Sequence, residues 1–301
     1  MSVAFLLFVF NFETPEKEFY EAPKIETTET REIILAFVGD VMLDRAVEQK
    51  ILSKGGGDFK FPFLLIAKDL ERYDFLFGNL EGPISDEGVN VGSKYSFRMD
   101  PKAVYGLKFA GFDALSVANN HSADFGKRAF DETLELLTSV DIIPVGDVSD
   151  PKFLNVKGLK IAIVAFSDFP GFGLRAEDEI IKDNISLARK SADIVVASFH
   201  FGEEYQKLPS SRQRKIVELA VDYGADLIVG HHPHVPQPLE KYKDAYIAYS
   251  LGNFIFDQHF SEETMGGTLL EIRLRDNMIV GAQIRTIRLN SDYQAYFLDS
   301  F

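Results

Sequence analysis

The sequence predicts an α/β domain, and three observations carry the prediction. From Ile33 onward, short apolar runs alternate with segments of helical period. The runs are apolar throughout rather than at every second residue, the pattern of strands covered on both faces. Six of them end in a short polar motif, as strands do where an α/β sheet opens onto a ligand crevice.

The elements follow in order. Ile33–Val38 is a strand that runs into Gly39-Asp40. Pro62–Leu70 reads as a helix, and Asp74–Phe77 as a strand ending in Gly78-Asn79-Leu80-Glu81. Pro101–Ala110 is helical, with proline at the first helical position, where its missing N–H costs nothing. Asp113–Ala118 is a strand ending in Asn119-Asn120-His121, and Ala129–Val140 is a helix with Phe130, Leu134 and Leu137 on one stripe. Strand Lys160–Phe166, helix Ile180–Ser191 and strand Asp193–Phe199 lead to His200. Ser210–Tyr223 is a helix with a serine start and Gly224 just past its end. Strand Ala225–Val229 ends in Gly230-His231-His232-Pro233-His234, and Tyr246–Tyr249 ends in Ser250-Leu251-Gly252-Asn253. Thr268–Arg275 and Met278–Leu289 form a closing antiparallel pair turned at Asp276-Asn277.

The first 32 residues read differently. Val3–Phe10 is unbroken apolar sequence, far short of the ~20 residues that span a bilayer. An acidic, threonine-rich stretch without clear period follows it, to Glu32. Residues 1–32 therefore read as a leader, signal or anchor, with an acidic linker, and 33–301 as one domain. That organisation points to export or attachment at the cell envelope. The alternative is a cytoplasmic protein whose start codon is misassigned, since no basic residue precedes the apolar run.

Composition narrows the chemistry. Cysteine is absent, which excludes disulfides, thiolate catalysis, Fe–S clusters and cysteine-ligated zinc. A net charge of −14 without a basic stripe argues against nucleic acid as partner. An anionic substrate would then need local positive charge, which a metal supplies. Of six histidines, His121, His200, His231, His232 and His234 all lie in the strand-end motifs. Histidine, Asp, Glu and Asn without cysteine describe a site for divalent Mn, Zn, Fe or Co. Each motif also has a plainer reading: Asp40 as a helix N-cap, Glu81 as a turn residue, Asn120 and His121 as a turn network, Gly252-Asn253 as a turn. Convergence on one sheet edge outweighs these readings, and paired metals ~3.5–4 Å apart would clamp a phosphoryl group. His231 is expected to stand behind the ligands or face away.

The segments Gly39-Asp40-Val-Met-Leu, Asn79-Leu-Glu-Gly-Pro-Ile-Ser, Asn119-Asn-His-Ser-Ala-Asp-Phe-Gly, His200-Phe-Gly-Glu-Glu-Tyr, Gly230-His-His-Pro-His-Val and Ser250-Leu-Gly-Asn-Phe resemble the CapA family of capsule, or poly-γ-glutamate, biosynthesis. That family is a branch of the calcineurin-like metallophosphatases, and the likeness runs from about residue 33 to 258. It implies a four-layer α-β-β-α sandwich of metallophosphatase type with one or two divalent metals at the strand ends. By the same likeness Asp40 and His234 would bind the first metal, Glu81 would bridge, and Asn120, His200 and His232 would bind the second. His121 would be the general acid beside the leaving group. Arg45, Asn79, Arg98, Glu204 and Asn253 are expected to contact substrate. The superfamily's opening Asp-x-His reads here Asp40-Val41-Met42, so the first metal lacks an imidazole, and Asp44 is a nearby substitute.

Two functions stand side by side at this point. One is a metal-dependent hydrolase acting on a phosphoester or amide of an anionic envelope polymer through a metal-activated water. The other is a non-catalytic, polymer-binding subunit of a membrane synthase or exporter, a partner complex to which the leader would tether the chain.

Overall fold

The computed structural model describes residues 32–147 and 151–298; the expected leader lies outside them. These residues form two sheets facing each other, with helices on each outer side. The eight-stranded sheet runs Ala295–Phe297, Met278–Leu289, Gly266–Arg275, Ile33–Val41, Phe75–Leu80, Ala114–Ser116, Ile143–Val145, and Asn253–Ile255 joins it alongside Ile33–Val41. The seven-stranded sheet runs Leu239–Tyr242, Ala245–Ala248, Leu227–His231, Ile194–His200, Leu159–Ser167, Lys152–Val156, with Leu174–Arg175 beside Leu159–Ser167. The first sheet is parallel from Ile33–Val41 to its Ile143–Val145 edge and antiparallel on the other side, whereas the second has a parallel centre and antiparallel edges.

The four-layer sandwich explains why the strands are apolar on both faces. Along Ile33–Val41, Leu35 and Phe37 point between the sheets, where they meet Phe75, Phe77, Ile161, Val196 and Val229. Ala36 and Val38 point the other way, into a core with Val47 and Ile51 of helix Arg45–Ser53, Leu107 of helix Ala103–Ala110 and Leu137 of helix Gly126–Ser139. The second sheet does the same, sending Ala162, Val195 and Phe199 against Ile181 of helix Asp178–Arg189 and Ile216 of helix Ser211–Asp222. Apolarity on both faces thus arises here from one helical neighbour and one sheet neighbour, not from helices on both sides.

Two local expectations change. Pro62–Leu70 is no single helix but a 3₁₀ turn, Phe61–Phe63, and a single α turn, Ala67–Leu70. The tight turn buries Phe63 and Ile66, three residues apart, and leaves Leu64 and Leu65 in solvent. Helix Arg45–Ser53 is capped by Asp44, not by Asp40 as the plainer reading of that motif had it. Only Val47 and Ile51 of its residues are buried, too thin a stripe to read as a period.

Strand Ile33–Val41 runs past Val38, so Asp40 sits within it, in register with Asn79 on one side and Asn253 on the other. The close approach to the Gly252 segment depends on Gly39, where a Cβ would lie 1.9 Å from the Gly252 carbonyl oxygen. That carbonyl accepts the Asp40 N–H at 3.0 Å. Gly39→Ala is accordingly expected to cost about 1–3 kcal/mol, the range for overpacking, measured by denaturant unfolding with an unchanged m-value.

Candidate metal centre

Asp40, Asn79 and Glu81 come from the first sheet, Asn120 and His121 from the loop after Ala114–Ser116, His200 from the second sheet, and His232 and His234 from the turn after Leu227–His231. All but Asn120 and His121 are buried. Asn79 Nδ2 donates to Asp40 Oδ1 at 2.9 Å and lies 3.4 Å from Glu81 Oε2 and 3.3 Å from His200 Nδ1. Asn119 in turn donates to Asn79 Oδ1 at 3.2 Å and to the Leu80 carbonyl at 2.8 Å. His200 Nε2 meets Asn120 Oδ1 at 2.7 Å, and the His200 and His232 rings are 4.8 Å apart. His234 Nδ1 lies 3.3 Å from Asp40 Oδ2 and 3.0 Å from Asn253 Oδ1, while its Nε2 is 3.5 Å from Glu81 Oε1. One donor atom each from Asp40, Glu81 and His200 falls within 4.8 Å of the others.

The backbone is bent to achieve this. His232 (φ 97°) and His234 (φ 58°) are left-handed, as are Arg45 (φ 57°) and Tyr205 (φ 64°) at the mouth of the site. Such conformations in non-glycine residues concentrate where geometry serves chemistry.

The electrostatics suit a cation. Burial would raise the Asp40 carboxyl, but the imidazoles of His231 and His234 close beside it hold it well below its ordinary value. Burial pushes Glu81 well above its own, with His234 opposing and Asp40 adding to the rise. Burial, reinforced by His232, lowers His200. Burial and the charge of His234 lower His232 to about 3, which leaves its imidazole neutral with a lone pair to give. His234 is raised to about 9: burial opposes, but Glu81 and Asp40 outweigh it. Among the described residues, Glu81 Oε1 and His232 Nδ1 are buried without a hydrogen bond. Two carboxylates, three imidazoles and an amide, with donor atoms left unmet in the interior, fit a divalent ion.

Residues 34–258 match the family described as bacterial capsule synthesis protein PGA_cap. The chain belongs to this family. It is 36% identical over 276 residues to the PGA biosynthesis protein CapA of Bacillus subtilis (strain 168), covering 85% of this chain and 72% of that protein. It is 33% identical over 284 residues to the capsule biosynthesis protein CapA of Bacillus anthracis, covering 84% of this chain and 66% of that one, just under two thirds of its length. A solved structure of a novel phosphatase from Mycoplasma pneumoniae superposes with a TM-score of 0.53 at 15% identity, covering 86% of this chain and 94% of that one. The fold is the metallophosphatase-like one that the sequence resemblance implied.

In this family member the expected ligands converge, and the surrounding residues divide. Asn79 and Asn253, expected at the substrate, are fully buried. Asn79 is engaged with the ligand side chains, and Asn253 Nδ2 is held by the Thr264 carbonyl at 2.9 Å while its Oδ1 steadies His234. Strand register sets both beside Asp40. Arg98 stacks its guanidinium 4.4 Å from the Phe125 ring centroid. Arg45 and Glu204 do line a cleft of about 450 Å³ above the ligands, with His121, His234, Lys94 and Tyr205. Arg45 pairs with Asp257 at 3.1 Å and lies over Phe97. Asp44 is no substitute ligand: its carboxylate accepts the Arg45 N–H at 2.6 Å and the Arg98 N–H at 2.8 Å. Met42 is buried, and its sulfur accepts the Asp44 N–H at 3.1 Å.

Sequence reasoning missed the role of Asp124. Its Oδ2 meets His121 Nδ1 at 2.8 Å and accepts the Phe97 N–H at 2.8 Å, so the imidazole is held from behind while Nε2 lies 3.8 Å from Glu81 Oε1. The three-residue spacing from His121 was the available signal. The aromatic walls, Phe97 at 4.1 Å from the His121 ring and Phe169 at 4.3 Å from His232, had none.

Proposed function

We propose that this family member is a metal-dependent hydrolase of capsule or PGA assembly at the cell envelope, acting on a phosphoester or amide of an anionic polymer. The observation that carries this reading is the convergence of buried Asp40, Glu81, His200, His232 and His234, with half-buried Asn120, beneath a cleft that His121 lines. Asp40, Glu81 and His234 would hold one ion, and Asn120, His200 and His232, with Glu81 between, a second. A divalent ion there supplies Lewis acidity and an acidified water as nucleophile.

The chain's own groups do the rest. Asp124 holds His121 Nδ1, which orients Nε2 towards the ligands as a proton donor to the leaving group. Arg45 at the cleft supplies positive charge to an anionic substrate, and Phe97, Phe169 and Phe256 pack on the imidazoles and keep water off them. Among the described residues no helix is long and apolar enough to cross a membrane. Envelope attachment therefore rests on the relatives and on the leader.

A second reading is favoured by Met42, which takes the sequence position of the imidazole in the superfamily's opening Asp-x-His, and whose sulfur is engaged by the Asp44 N–H. In it the same site binds polymer without turning it over. Elemental analysis of protein purified without chelators, paired with assays on phosphoester and amide substrates, separates the two. Two equivalents of transition metal and measurable turnover are expected. Polymer binding without hydrolysis of either bond would select the second reading.

A further inference from the structure

The halves of the metal centre belong to different sheets, and one residue beneath them is unaccounted for. His231 ends the strand Leu227–His231 of the second sheet, beside His200 in register, and is fully buried. Its Nδ1 lies 3.4 Å from Asp40 Oδ1, a carboxylate of the first sheet. Neither ring nitrogen has a hydrogen-bond partner among the described residues. Its other flank faces the Phe77 ring, 6.4 Å between centroids. An interior imidazole with both nitrogens unmet is costly, so a compensating partner is required. Asp40 is the carboxylate within reach, and its oxygens are otherwise approached by Asn79, by the His232 N–H at 3.3 Å and by His234.

We propose that His231 is a positioning residue, donating a hydrogen bond that fixes the Asp40 carboxylate for the ion and locks the second sheet's half of the site onto the first. The proposal rests on the metal-centre reading above. It follows the general pattern in which ligating carboxylates are themselves held by a hydrogen bond. It also gives the doubled histidine of Gly230-His231-His232 a division of labour: the first braces Asp40 from the end of the strand, and the second turns outward as a ligand.

The test is titration of chelator-stripped protein with Co²⁺, read by calorimetry and by the visible bands of the bound ion, for the natural chain and for His231→Phe, His231→Asn and His231→Gln. Phenylalanine fills the space without a donor, asparagine is too short to reach Asp40, and glutamine can reach and donate. His231→Phe and His231→Asn are expected to weaken the site of Asp40, Glu81 and His234 by about 10–100-fold, while the site of Asn120, His200 and His232 changes by less than about threefold. His231→Gln is expected to recover most of the loss. Equal affinities in the natural chain and His231→Phe would overturn the proposal. Equal losses in all three variants would do so too, because the ring's bulk rather than its donor would then matter. If His231→Phe does not fold, the contrast between asparagine and glutamine decides alone. A natural chain that takes up no Co²⁺ would instead sink the metal-centre reading and this proposal with it.

Discussion

His121→Ala is expected to keep its full complement of metal and to lose at least ~100-fold in hydrolytic rate, the usual size of a general-acid contribution. The separation of the two effects follows from the geometry. His121 stands at the rim of the cleft, half-buried, with Nδ1 committed to Asp124 at 2.8 Å. Its Nε2 is 3.8 Å from Glu81 Oε1, but the buried group around Asp40, Asn79 and His200 closes without it. On the proposed function, removing the ring would take away a proton donor and leave the ligands in place. Single-turnover kinetics beside metal analysis of the same sample is the deciding measurement. An unchanged rate would remove His121 from the chemistry, whereas a fall in metal content to match the rate would make it a ligand.

The second large effect is expected from the turn that carries His232 and His234. The double variant His232→Ala/His234→Ala is expected to lose bound metal by far more than the ~10–100-fold that outer-shell changes cost. The reason is that His234 contacts both carboxylates, at 3.3 Å from Asp40 and 3.5 Å from Glu81, while His232 stands beside His200. Each of the two proposed ligand groups would therefore lose an imidazole. Stability carries the same signature. An ion held at 100 times its Kd contributes about 2.7 kcal/mol, so chelation should lower the melting temperature of the natural chain by about 5 °C. The double variant should melt at the same temperature with or without chelator. A chelator effect of equal size in both proteins would mean that the stabilising ion binds elsewhere.

Much of this site was readable because its chemistry is punctuated. Asp40, Glu81, Asn120, His200, His232 and His234 each follow an apolar run, and the carboxyl ends of adjacent parallel strands lie together whatever the details of packing. Which side of a strand each residue faces was less legible. Asn79 and Asn253 flank Asp40 in register, and their side chains are spent on Asp40 and His234. The setting of Arg98 was equally hidden: its charge suited an anion, while its stacking on Phe125 joins loops that no local period connects. The two sheets posed another ambiguity. A strand apolar on both faces does not say whether a helix or a second sheet covers it, and here only the family resemblance distinguished the two. Asp124 and the aromatic walls depend on contacts between distant loops, such as Phe97 with His121, which no local period records.

The left-handed backbone at Arg45, Tyr205, His232 and His234 has a consequence for how this chain can change. Each such residue costs of order 1 kcal/mol or more relative to glycine in the same conformation. A sequence selected for robustness alone would place glycine or asparagine at these four positions. This one carries two imidazoles, a guanidinium and a phenol, and so gives up stability around the cleft to keep them there. Substitutions that most readily make the fold hardier should therefore cluster at the mouth of the site, and they are the ones that would abolish what it does.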